Sequence, residues 1–134
     1  PIRRTDGATP LMIAIQNKKL NLVKLLLEGG ANIEIKNKNG ATPLIIAAED
    51  HNSEQLDLSL KYHANPNAID NDTFSPVIFI AFHNDISDLD KLVKAGADLS
   101  YKDKSGQSAL DYALLKGNEE VVDYIKKSLK KMAN

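Results

Sequence analysis

The chain carries three histidines, His51, His63 and His83, and no cysteine. Any metal or nucleophile chemistry therefore has to be built from imidazoles, carboxylates and hydroxyls. His51 and His83 lie near Glu49, Asp50 and Asp85, close enough in sequence to pose the question of a metal centre. Zinc, however, draws on paired histidines or thiolates at tight local spacing, and neither pattern is present. These residues read as solvated turn positions, with no metal assigned. His63 stands where Gly30 and Gly96 end the corresponding helices, which makes it a tolerated helix-terminating substitution. There is no glycine-rich phosphate loop, no His-Glu-x-x-His and no plausible nucleophile triad. Glu119 and Glu120 open a helix, where negative charge favours the helix dipole without any catalytic role. Lys126, Lys127, Lys130 and Lys131 read as the solvated faces of the last helix. On this reading the chain has no catalytic residue and no cofactor, and it is not an enzyme.

The bulk properties exclude further classes. A formal net charge of −1 argues against a general nucleic-acid binder, because sequence-independent affinity comes from many cations neutralising phosphates. No stretch approaches the roughly 18 apolar residues that span a bilayer, and the first residues lack a signal-peptide core. With 43% hydrophobic and 26% charged residues, the 134-residue chain is expected to form one globular domain rather than a disordered segment. We expect a cytoplasmic monomer with no membrane and no nucleic-acid contact, an assignment with which the lack of cysteine agrees.

What positions these residues is a repeat. Gly7-Ala8-Thr9-Pro10-Leu11 returns as Gly40-Ala41-Thr42-Pro43-Leu44, a step of 40 − 7 = 33, and the step continues to Ser75-Pro76-Val77 and Ser108-Ala109-Leu110. Ala14, Ala47 and Ala113 keep the same register, with Ile80 the exception. Ala31, Ala64 and Ala97 are followed by Asn32, Asn65 and Asp98. Four units follow, at about 4–36, 37–69, 70–102 and 103–134, within a single domain spanning 1–134. Ile2 lies 33 residues before Ile35, so residues 1–3 read as the tail of a preceding unit.

Each unit predicts two short helices. In the first, Thr9 caps a helix with Pro10 at its first position, running to about Asn17. A second begins near Leu20, with Leu22, Val23, Leu26 and Leu27 as its apolar stripe, and ends at Gly29-Gly30. The linking segment 31–40 predicts a hairpin-like excursion. Helices this short are unstable alone, so stability has to come from stacking one unit on the next. The other pairs are expected at Pro43–Asp50 with Ser53–Lys61, from Ser75 through the third unit, and at Ser108–Lys116 with a longer, lysine-rich helix from Glu119 that closes the stack. Ser59, Gln55 and Thr73 replace Leu26, Leu22 and Gly7, which makes the second and third units the expected soft centre. Thr73 in a glycine column implies a turn of different shape.

A 33-residue step with Thr-Pro-Leu opening the first helix, Gly-Ala-Asn or Gly-Ala-Asp after the second, and Asp-Gly turns resembles the ankyrin repeat. The resemblance covers practically the whole chain. It implies an all-α fold, an ankyrin-repeat α-solenoid of helix-turn-helix units joined by β-hairpin-like loops. The histidine usual after Thr-Pro-Leu is replaced by Met12, Ile45, Ile78 and Asp111, so its hydrogen-bond ladder is expected to be missing. The glycine usual between the two helices survives only as Gly117, while Lys18, His51 and Asn84 occupy its column, Asn84 tolerating a left-handed backbone best.

The resemblance also implies a non-catalytic module or scaffold that binds a protein or peptide partner on its concave face, through loop tips and the ends of the first helices. Carried onto this chain, the tips are Thr5, Asp6 and Ala8; Lys38, Asn39 and Ala41; Asn71, Asp72 and Phe74; and Lys104, Ser105 and Gln107. The helix ends are Gln16 with Asn17, Glu49 with Asp50, Phe82 with His83, and Leu115 with Lys116. Phe82, Leu115 and Phe74 are expected to form an apolar spot flanked by Glu49 and Asp50 on one side and by Lys116 and Lys104 on the other; the other reading of the rings is that Phe74 folds back over Pro76 or that Phe82 fills a gap left by small residues such as Ala81. The alternative is a regulatory domain whose enzyme or channel part lies upstream.

Overall fold

The computed structural model describes residues 9–133. Residues 1–3, expected as the tail of a preceding unit, and the first tip at Thr5, Asp6 and Ala8 lie outside them. The described residues form eight helices in four pairs: α1 (Pro10–Gln16) with α2 (Leu20–Glu28), α3 (Pro43–Glu49) with α4 (Ser53–Lys61), α5 (Pro76–Ala81) with α6 (Ile86–Lys94), and α7 (Ala109–Lys116) with α8 (Glu119–Ala133). The helices α3, α5 and α7 pack in succession, and α2, α4, α6 and α8 form a second row behind them.

Local chemistry explains where the first helices start. Thr9, Thr42 and Ser108 accept hydrogen bonds from the backbone N–H of Met12, Ile45 and Asp111, and the Asp111 carboxylate accepts in turn from the Ser108 backbone N–H to complete a capping box. Pro10, Pro43 and Pro76 occupy first-turn positions, where a missing N–H costs nothing. Ser75 differs: its buried hydroxyl finds no partner among the described residues. The column in which the family places histidine packs instead, with Met12, Ile45 and Ile78 buried.

Column by column, the 33-residue step shows which side of each unit is covered by the one before it. Leu22 is 46% exposed, whereas Gln55, Asp88 and Val121, at the same step, are 4%, 2% and 0% exposed. Among the described residues Val23 and Leu27 of α2 are buried, Leu26 is half-buried and Leu22 is exposed.

The core has two parts. One runs from Leu44 through Leu56, Leu89 and Leu92 to Val121 and Ile125, uniting the second, third and fourth units. The other gathers Leu11, Ala14, Ile15, Val23 and Leu27 around Leu58 of α4. The division falls between the first and second units, where the polar residues Gln55 and Ser59 occupy the columns that face α2.

Between units the chain makes tight turns, with no strand among the described residues. In each, one oxygen of Asn37, Asp70 or Asp103 accepts from two backbone N–H groups, those of Asn39 and Ala41, Asp72 and Phe74, and Ser105 and Gln107. Gly40, Thr73 and Gly106 all adopt left-handed backbone at φ 76°, 67° and 79°. Thr73 thus keeps the shape of its glycine neighbours instead of changing it.

Candidate protein-binding surface

The turn before α5, the end of α5 and the facing side of α7 share a group of aromatic rings. Phe74, in the turn before α5, meets Phe79 edge-on at 5.5 Å between centroids and Tyr112 at 6.2 Å. Phe82, the C-cap of α5, lies 5.1 Å from Tyr112, and the Lys116 ammonium stands 5.6 Å from the Phe82 centroid. At that distance a cation is attracted to the ring face. Phe74, Phe82, Phe79 and Tyr112 are all half-buried: the rings support one another while leaving area open. Edge-on and tilted pairs of this kind add about 0.5–1.5 kcal/mol beyond area burial.

Tyr112 is the member that sequence reasoning missed. It follows Phe79 by 33 residues, in a column completed by Ile13 and Ile46, and all four are half-buried. A column that is apolar in all four units, Ile13, Ile46, Phe79 and Tyr112, was the available signal. Phe82 takes its aromatic neighbour from α7 through Tyr112. Leu115, expected at that place, is 75% exposed and lines a separate shallow depression with Gly106, Gln107, Asp111 and Leu114.

The charged flanks differ from one another. Lys104 lies 3.7 Å from Asp72, and its backbone N–H donates to the Thr73 hydroxyl at 2.8 Å. Glu49 and Asp50, exposed at the end of α3, have no cationic nitrogen within ion-pair distance among the described residues. Burial, followed by the nearby Asp50 and Asp70 carboxylates, raises the Glu49 carboxyl above its usual value. Lys38 and Asn39 are exposed at the preceding tip, where their carbonyls accept from the Asn71 side chain at 3.1 Å and its backbone N–H at 2.9 Å. Gln107 is exposed at the last tip.

The two histidines are joined where solvated turns were expected. Their rings stack at 4.7 Å with planes 7° apart. His51 Nε2 is 2.8 Å from Asp85 Oδ2, and His83 Nε2 donates to the Glu49 carbonyl at 3.2 Å. His51 reaches Asp85 from a left-handed backbone at φ 55°, as Lys18 does at φ 56°, whereas Asn84, expected to tolerate that conformation best, does not adopt it. Helix α5 is one residue shorter than α3, so the chain turns differently there, and Asn84 uses its side chain to accept from Val121 N–H at 3.4 Å. His51, Asp85 and Asp88 bring one donor atom each within 4.8 Å. Asp88 is already engaged, accepting from the Ser53 hydroxyl at 2.7 Å with Lys91 at 3.6 Å. The cluster joins consecutive units through the His51–Asp85 and Ser53–Asp88 contacts.

A family model described as ankyrin repeats (3 copies) matches residues 2–70 and 44–133. The chain belongs to the ankyrin-repeat family. Its paired helices are the α-solenoid of that family, whose members are generally non-catalytic protein–protein interaction modules. No curated protein matches this ankyrin chain. No helix among its described residues is long and apolar enough to cross a membrane.

Proposed function

We propose that this ankyrin domain is a non-catalytic binding module that holds a protein or peptide partner on its concave face. The contact centres on Phe82, Phe74 and Tyr112, with Glu49, Asp50, His83, Lys116, Lys104, Gln107, Lys38 and Asn39 around them and Leu115 at the margin. The observation that carries this reading is the half-buried ring group: a folded domain that needed those rings only as core would cover them, and exposed aromatic area beside a charged rim is how binding hot spots are built. Phe82→Ala and Phe74→Ser, made separately, test it through thermal stability and affinity for a partner recovered by pull-down. The expected outcome is a partial loss of stability, below the roughly 3–5 kcal/mol of a fully buried Phe, with weakened binding. A full core-sized loss, or unchanged binding, overturns the assignment.

A further inference from the structure

The charge gathered around the end of α3 is negative. Lys104 is drawn to Asp72, and Lys116 lies over the Phe82 ring. Glu49 and Asp50 project from the end of α3, with Asp70 near enough to act on Glu49 electrostatically, and none of the three has a cationic partner within ion-pair distance among the described residues. Glu49 and Phe82 occupy one column, 82 − 49 = 33 residues apart, on helices that pack directly against each other. Packed helices lie about 8–10 Å apart, so a segment lying along the stack meets the carboxylates and then the rings within that distance. An extended chain advances about 3.1–3.3 Å per residue, and three residues cover the same span.

Resting on the concave-face reading above, we propose that the occupant is an extended basic segment that sets an Arg or Lys against Glu49, Asp50 and Asp70 and, three residues away, an aromatic or leucine side chain against Phe82, Tyr112 and Phe74. Arginine suits the first position best, because its planar group pairs carboxylates two bonds at a time and its flat face packs on neighbouring rings. Loss of charge repulsion among the three carboxylates on arrival of that cation adds to the attraction. Aromatic anchoring and electrostatic steering then act on one short motif.

The test is a selection of random 12-residue displayed peptides on the full chain. The enriched sequences are then synthesised and measured by fluorescence anisotropy against the wild type, the double variant Glu49→Gln with Asp50→Asn, and Phe82→Ala. The expected result is enrichment of Arg or Lys three residues from an aromatic or leucine. Affinity should fall about three- to tenfold in the double variant, as the loss of partly exposed ion pairs implies, and the wild type should lose affinity more steeply than the double variant as salt rises. Enriched peptides that lack cations, or that bind the double variant as well as the wild type, overturn the charge assignment; if they still lose affinity for Phe82→Ala, the concave-face reading survives. Peptides indifferent to Phe82→Ala, or no enrichment at all, overturn both.

Discussion

Gln55 donates its side-chain amide to the Ser59 hydroxyl one turn further along α4, at 3.2 Å, and both are sealed from solvent at 4% and 0% exposure. This pair occupies the columns through which α4 meets α2, and the core divides there. Removing the acceptor strands a buried amide, so Ser59→Ala is expected to cost about 1–3 kcal/mol. The urea midpoint measures that cost. Native-state hydrogen exchange should show the added opening in α1, α2 and α4 before α5 to α8. An unchanged midpoint would mean that the amide finds water at the seam.

The turn tips depend on close approach. Gly40 sits at φ 76°, and a Cβ added there would stand 2.9 Å from the Asn71 nitrogen and from its Cγ. Asn71 cannot retreat without giving up its bonds to the Asn39 and Lys38 carbonyls. Left-handed strain of about 1–2 kcal/mol and weakened hydrogen bonds of about 1 kcal/mol each give an expected loss of roughly 2–4 kcal/mol for Gly40→Ala. Gly106, at φ 79°, has nothing within 4 Å of an added Cβ, so Gly106→Ala carries the strain alone. Parallel thermal melts should separate the two substitutions, and equal shifts would show that Asn71 yields freely.

These two sites also mark how far the sequence could be read. Thr9, Thr42 and Ser108 before an apolar run are local signals, since a cap needs only its own first turn, and the helices begin where those residues place them. The ankyrin assignment rests on the 33-residue step and agrees with the family match. What was not legible depends on side-chain direction across units. Phe82 and Leu115 share a column, yet the ring neighbour of Phe82 is Tyr112, one turn back on α7. The His51–His83 stack needs His51 in a left-handed turn that residue preference alone assigned to Asn84.

The last turn links stability to pH through Asp103 and Tyr112. Asp103 is 6% exposed and accepts from the backbone N–H of Ser105 and Gln107 and from the Tyr112 hydroxyl. Burial pushes its carboxyl up, but the Tyr112 hydroxyl, those two N–H groups and Lys104 together outweigh it and hold it below its usual value of 3.8. The same bond, aided by burial, pushes the Tyr112 hydroxyl up to about 12. A depressed carboxyl contributes stability that is present above its unfolded pKa and disappears as pH falls through its folded one. A raised hydroxyl contributes stability that is present below 10.0 and is lost as pH rises towards about 12. Between those limits the pair holds the turn, and with it the ring beside Phe74 and Phe82, in one place. Asp103→Asn keeps the shape but gives up charge-assisted bonds, so at neutral pH it is expected to lose about 1.5–3 kcal/mol. Urea midpoints of the two proteins should converge below about pH 3.8, where the wild-type carboxyl itself takes up a proton. A gap that stays constant down to pH 2.5 would show that the Asp103 charge contributes nothing to the fold.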